Sequence, residues 1–562
     1  MPVPRGAAVR VACVVAIAVC TAAASCTTYQ ATPAPTYIGP SPRVAAGPPA
    51  GAPPASAPAA GQPATPPPAP AKSDAAPAAA PPAPAAEPIR IDVSRAILTA
   101  VANNQALVVE RFNTPITRTF EDQERAVFDP TVTATLQRSR NVTKAPGLGG
   151  LQTATGEGGA GEVGVAQFLP TGTQVGLTAA TDVEPHAFDG NDFFASRLGL
   201  TVTQALLRGF GMDVNLASLR QARLDTLSSE YELRGFAESL VAQVEEAYWD
   251  YALAQRKIEI YTQSLQVAQQ QLAETDERIR IGKLAEIDRA ASEAEVALRN
   301  EELIFARSTL AETRLLLLRL LNPSVPDYWQ RDVVIETPPV VPDVTLEDIA
   351  SHVQVALRLR PDLNQARLLV ERGDLELVKT RNGLLPKMDL FLTLGKSGYA
   401  DSFGESWQKI GRKGYDVLVG MDFEYPPANR DARARNQRAV LTRQQAAESV
   451  DNVAQLVQLD VRTAYVLYNR AKEEVAATAV TRKFQAEKAR AEIEKFRVGK
   501  STTLLVAQAQ RDLLASQITE VVAVIATVKA LVEFYRLEGS LLQRRGIACP
   551  GDKPVEMPAT RP

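Results

Sequence analysis

The sequence predicts an α+β membrane protein made of two internal repeats, each joining strands of alternating polarity to a long helical hairpin. Three observations carry this. One offset superimposes two segments of the chain, each segment holds a long run almost free of helix breakers, and the pieces ahead of those runs switch from helical period to a period of two. Ala247-Tyr248 returns as Ala464-Tyr465, and the glycine of Arg-x-Gly-Lys returns from Gly282 to Gly499, the same shift of 217 (464 − 247 = 499 − 282).

The N-terminus comes first. Arg5 and Arg10 precede an apolar run over 11–24 that is too short to span a bilayer as an ordinary helix, so residues 1–25 read as an export signal. It ends in Ala23-Ala24-Ser25-Cys26, which resembles the lipobox at which a bacterial cysteine is acylated; plain signal cleavage is the alternative. Thr27 follows, not the aspartate that resembles an inner-membrane retention signal, so the expected place is the outer membrane. Residues 26–88 then form a lipidated start and an Ala/Pro-rich linker, a composition that builds no core and spaces an anchor from a body. Of the four cysteines, Cys13 and Cys20 leave with the signal. With Cys26 acylated, Cys549 has no disulfide partner.

The body is expected as a first repeat over 89–328 and a second over 329–545, with a loose tail over 546–562. The chain of 562 residues is 45% apolar and 22% charged, enough for a sizeable core. Its formal net charge of -3 gives no basic excess for nucleic acid. Within the repeats, 214–280 holds one breaker, Gly235, and 431–498 holds none; either would make a helix on the order of 100 Å long. Leu265, Ala268 and Leu272 lie three to four apart, the stripe of helices packed lengthwise, and Phe484, Ala491 and Phe496 extend the pattern in the second copy. Second breaker-free runs, 285–321 and 501–538, complete two hairpins.

Ahead of the second hairpin, Tyr415, Val417, Val419, Met421 and Phe423 alternate with mostly polar residues, and Met388, Leu390, Leu392 and Leu394 form a partner strand. The first repeat has Val132, Ala134 and Leu136, then Leu198, Leu200 and Val202. An extra strand-like piece at 174–181 reads as an elaborated outer loop. Such alternation is the weak signature of a membrane barrel. Four strands per chain cannot close a barrel, which needs about eight, so several copies must do so.

Specific motifs then bring in a family. Thr203-Gln204-Ala205-Leu206-Leu207-Arg208-Gly209-Phe210-Gly211 leading into Asn215-Leu216-Ala217, Ala247-Tyr248-Trp249-Asp250, the stretch 280–288, Arg360-Pro361-Asp362-Leu363 and Leu384-Leu385-Pro386-Lys387 together resemble the TolC-like outer-membrane efflux proteins, in order over 91–542. The resemblance implies a homotrimer with a 12-stranded barrel, four strands per chain, continued by an α-helical periplasmic tunnel. Short helices near 93–125 and 346–381 would stack on the hairpins. It implies an outer-membrane exit channel, without cofactor or catalysis, that meets a periplasmic adaptor and is driven by an inner-membrane pump of the RND or ABC type.

On that resemblance, Arg280, Gly282, Lys283 and Leu284 at one tip, and Arg497, Gly499, Lys500 and Ser501 at the other, would dock the adaptor; glycine there also serves simply as a helix C-cap. Two aspartates that narrow the tunnel in better-studied members fall here on Leu505 and Gln508, neither ionisable. Asp288, Glu492 or Glu494 could supply charge instead. Gly156, Gly158 and Gly161 fit G-x-G-x-x-G but read as a glycine-rich loop, and Gly499-Lys500-Ser501 and Gly395-Lys396-Ser397 lack the earlier glycine of a phosphate loop. His186 and His352 have no partners at metal or nucleophile spacing. The expected cargo is small toxic molecules. The rivals are the outer-membrane channel of a type I protein secretion system and, in another class, a non-conducting periplasmic coiled-coil scaffold.

Overall fold

A computed structural model of the chain describes residues 88–556, apart from 148–149, 186–191, 343 and 412–413. The export signal, Cys26, the linker, His186 and the last six residues lie outside the described residues.

Strand β1 (Ile89–Ile91) leads into α1 (Val93–Asn103), α2 (Gln105–Arg111) and α3 (Asn113–Arg125). Asn104 breaks the first two apart, its side chain accepting from the backbone N–H groups of Ala106 and Leu107. Strands β2 (Thr131–Gly147), β3 (Gly150–Phe168), β4 (Thr173–Pro185) and β5 (Asp192–Ala205) follow. A single turn, α4 (Met212–Asn215), opens the 64-residue α5 (Ala217–Arg280), and α6 (Ile287–Leu321) runs back beside it. β6 (Val333–Ile335) then pairs in parallel with β1.

The second half repeats this order with α7 (Ile349–Leu359), α8 (Pro361–Gly383), β7 (Lys387–Ala400), a short α9 (Phe403–Gln408) and β8 (Tyr415–Glu424). It closes with the 68-residue α10 (Arg430–Arg497), α11 (Thr503–Glu538) and a last turn, α12 (Leu541–Arg544). At 1.5 Å per residue α5 and α10 are each about 100 Å long. Among the described residues no helix is long and apolar enough to cross a membrane.

The core sits at a waist where both hairpins pass the β1–β6 pair. Tyr248, Tyr468, Phe534, Leu317 and Leu318 are buried there. Tyr251 Oη donates to Val333 O at 2.9 Å and Tyr468 Oη to Val344 O at 3.1 Å, so the segment after α6 is tied to both long helices. The tail over 546–556 is docked on this waist and is not loose. Ile547 and Cys549 pack on the core, Arg234 Nη1 donates to Gly551 O at 2.9 Å, and Val555 N donates to Asn364 Oδ1 at 2.9 Å. Its lack of periodicity hid this docking, because the partners are loop carbonyls and buried polar side chains.

The expectation of four strands is corrected. β2, β3, β4, β5, β7 and β8 form one antiparallel sheet in that order, six strands among the described residues. The piece at 174–181 is no outer loop but part of β4, and Gly156, Gly158 and Gly161 stand inside strand β3. Glycine is depleted in strands, so β3 gave no strand signal. Its glycines have a packing cause: Gly158 faces Ser139 and Gly161 faces Leu136, whose side chains lie within 3.2 Å of where a Cβ would stand.

The register aligns one apolar face across all six strands. Ala134 pairs with Val163, Val163 with Ala179, Ala179 with Leu198, and, one step along, Leu177 with Leu200, Leu200 with Leu394 and Leu394 with Val417. The opposite face carries Thr133, Glu162, Thr178, Arg197, Thr201, Thr393 and Asp416, with Arg197 Nη2 and Asp416 Oδ2 paired at 2.5 Å.

Candidate functional site

Two regions of the chain offer surfaces for work: the hairpin tips and the sheet. Each tip is built by a helix that must stop. α5 ends with Gly282 at φ +72° and α10 with Gly499 at φ +76°, a left-handed conformation that glycine adopts most readily. Lys283 N donates to Arg278 O and Gly282 N to Ile279 O, both at 2.9 Å, the paired bonds of a Schellman cap. Lys500 N to Lys495 O at 2.8 Å and Gly499 N to Phe496 O at 3.1 Å reproduce them at the second tip. Arg278 and Arg280, like Lys495 and Arg497, fill last turns, where the carbonyl ends of the helices favour cations.

The sequence-predicted tip residues meet at one end of the molecule. Arg278 Nη1 donates to Phe496 O at 3.1 Å and its guanidinium lies over the Phe496 ring, 4.4 Å from the centroid, joining the two tips. Arg280, Gly282, Lys283, Arg497, Gly499 and Lys500 are exposed, and Leu284 and Ser501 are half-buried. Ser501 Oγ donates to Glu492 Oε2 at 2.9 Å. The hydrogen bond from the Lys495 ammonium, and then that from Ser501, lower the Glu492 carboxyl below its ordinary value.

Leu505 and Gln508 stand three apart on the exposed side of α11, Leu505 47% exposed, while Val506 and Ala509 turn inward. Asp288 is not on that face. It is half-buried at the seam between hairpins, accepting from Thr503 Oγ1 at 3.4 Å. Four of the acids nearby are paired with cations, Glu492 with Lys495, Glu494 with Arg497, Glu277 with Arg280 and Asp512 with Lys488, whereas Glu286 at the start of α6 is exposed. No group of described residues could hold a metal ion.

The waist holds polar side chains that sequence reasoning missed, because nothing local marks a buried ion pair. Arg234, buried, donates to Glu238, Gly539 O and Gly551 O, and Arg545 grips the buried Glu245 through two bonds of 2.7 and 2.6 Å. His352 Nδ1 lies 2.5 Å from Glu538, which Arg544 also meets at 3.3 Å. Burial pushes the Glu238 carboxyl up to about 7 against the pull of Arg234.

The folded protein therefore holds that proton more tightly than the unfolded chain. The contribution is full below about pH 4.5 and is lost as pH rises through 7, by at most about 3 kcal/mol. Thermal unfolding of the parent should fall across that window, and Glu238→Gln should flatten the dependence. An unchanged slope in the variant would contradict the assignment.

Residues 352–540 match the family described as outer membrane efflux protein, a stretch running from within α7 to the end of α11. A search of the curated proteins finds none that matches. Solved structures share the fold. The CmeC outer membrane channel of Campylobacter jejuni has 13% identity and a TM-score of 0.60, with 80% of this chain and 86% of that chain covered. The MtrE outer membrane channel of Neisseria gonorrhoeae, in its open state, has 17% identity and 0.57, covering 80% and 89%. The outer membrane protein VceC of Vibrio cholerae has 14% identity and 0.59, covering 80% and 96%. Residues 352–540 are thus similar to the outer membrane efflux proteins, and most of the chain shares the fold of these solved channels.

Proposed function

We propose that three copies of this chain form the outer-membrane exit channel of a tripartite export pump. The channel is a passive conduit for small molecules such as drugs or toxic compounds, and the energy comes from an inner-membrane pump of the RND or ABC type through a periplasmic adaptor. One observation carries the reading: a sheet with one mostly apolar face and a mostly polar opposite face runs directly into helices about 100 Å long. A sheet of that polarity suits lipid on one side and water on the other, and its helices are long enough to reach far into the periplasm. The exposed basic tips suit docking of the adaptor, and the family match over 352–540 supports efflux as the purpose.

The reading is tested by separating membranes on a density gradient and cross-linking intact cells. Recovery with the outer membrane as a three-copy species is expected. A periplasmic monomer would overturn it.

Cys26 is proposed to carry the acyl chains that add an anchor to the barrel's own hold on the membrane. Cys26→Ser should then lose incorporation of a labelled fatty acid while trimers still form. Labelling of the variant at the parent's level would exclude acylation at this residue.

A further inference from the structure

We infer that all six strands stand in the membrane wall, and that β8 of one copy pairs with β2 of the next. Three copies would then close a barrel of eighteen strands, not twelve. The inference rests on the channel reading above and changes the width of the pore.

The first ground is the added hairpin itself. β3 and β4 lie between β2 and β5 and pair with them along their length, from Thr131↔Ala166 to Gly147↔Gly150 on one side and from Thr173↔Gln204 to Pro185↔Asp192 on the other. Its turn lies at the helical end of the sheet, clamped to the strand-to-helix junction. Ala205 N donates to Gly172 O at 3.0 Å, and Asn215 Nδ2 donates to Pro170 O at 3.0 Å and to Gly209 O at 2.9 Å. Gly172 has φ +86°, and a Cβ there would overlap the carbonyl oxygen of Gly209. The hairpin therefore crosses the same thickness as its neighbours. Folding it out of the wall would break both the β2–β3 and β4–β5 ladders and require β2 to pair with β5 in a new register.

The second ground is polarity. Val163, Val165, Val175, Leu177 and Ala179 continue the apolar face of β2 and β5, broken only where Gln167 pairs with Val175, while Glu162, Thr178 and Asp182 continue the polar one. A hairpin outside the membrane would have no use for that match.

The third is perimeter. Beneath the sheet α3 packs on α5, α5 on α8 and α8 on α10, joined by pairs such as Arg372–Asp225 at 3.2 Å and Arg443–Asp374 at 3.0 Å. Four helices side by side at 8–10 Å span about 32–40 Å. Strands about 4.8 Å apart, tilted by about 40°, span about 38 Å for six and only about 25 Å for four. Six strands match the helical wall they continue.

The closing edges also agree. β2 and β8 each have a partner strand on one side only among the described residues, and they run in opposite directions. A neighbouring copy can therefore continue the antiparallel pattern around the ring, which leaves no unpaired edge in lipid. A wall of eighteen strands has about 1.5 times the circumference of one of twelve at equal tilt, hence a barrel about 36 Å across at the backbone where twelve would give about 24 Å.

Cryo-electron microscopy of the full chain in lipid nanodiscs would count the strands. Eighteen, with β8 beside β2 of the next copy, is expected. Twelve, with residues 150–185 outside the wall, would overturn the inference but keep the channel, whereas particles with no ring would overturn the channel reading itself.

Disulfide trapping in intact membranes, in a Cys549→Ser background, gives a second readout. Ala134→Cys with Val163→Cys, direct partners here, should cross-link. Ala134→Cys with Leu200→Cys should not, since two strands and about 14 Å separate β2 from β5. Efficient cross-linking of the latter pair within one chain would contradict the six-stranded wall.

Discussion

Leu505→Asp is expected to convert a channel that trivalent cations block poorly into one they block strongly, by about tenfold or more in half-blocking concentration. Leu505 and Gln508 occupy the exposed face of α11 beside the tips, and a threefold ring there would present leucine and amide, neither of which concentrates negative potential. Glu492, Glu494, Glu277 and Asp512 are held by Lys495, Arg497, Arg280 and Lys488, and Asp288 turns toward Thr503. If that ring lines the constriction, closure is proposed to come from apolar contact and dewetting. In the variant, three carboxylates would bind a trivalent ion, and block should weaken as pH falls toward an ordinary aspartate pKa near 4. The check is single-channel current with the cation added on the periplasmic side. Strong block of the unmodified channel would show that other acids line the constriction, with Asp288, Glu492 and Glu494 the first to replace.

Gly282→Pro and Gly499→Pro are each expected to cut export by about an order of magnitude with trimer yield unchanged. Proline fixes φ near −65° and has no N–H, so it can neither adopt the +72° and +76° of these caps nor donate to Ile279 O or Phe496 O. The damage stays local, because the tips lie at the far ends of α5 and α10, about 100 Å of helix from the strands. The measurement pairs accumulation of an exported dye in cells with the amount of trimer in their outer membranes. A parallel fall of both would assign the effect to folding and remove the docking role of the tips.

The long helices were legible because their signal is local and repeated. A run without proline ends at a glycine twice, and Gly282 and Gly499 cap α5 and α10 with the same pair of backbone bonds. The strands were legible only where bulky residues alternate, as at Leu390, Leu392 and Leu394. β3 carries its alternation through glycine, alanine and valine, so in the sequence a strand of 19 residues reads as a loop and its partner β4 as an elaborated outer loop. What reveals β3 is its register with β2, a pairing between segments that no single window contains.

The site shows the same division. Tip residues were found by repetition and cap chemistry. The position of Asp288 at the seam needed α11 to be placed beside it, and Arg234 and Glu238, four apart on α5, meet the docked tail only through folding across more than 300 residues.

The central claim, a conducting outer-membrane channel, is tested most directly by reconstituting the purified full chain into planar bilayers and recording single-channel current. Discrete, reproducible conductance steps that disappear when the sheet is disrupted by Leu200→Arg on its apolar face are predicted. Membrane-inserted trimers that pass no current under any applied voltage, with the tips free or mutated, would contradict it.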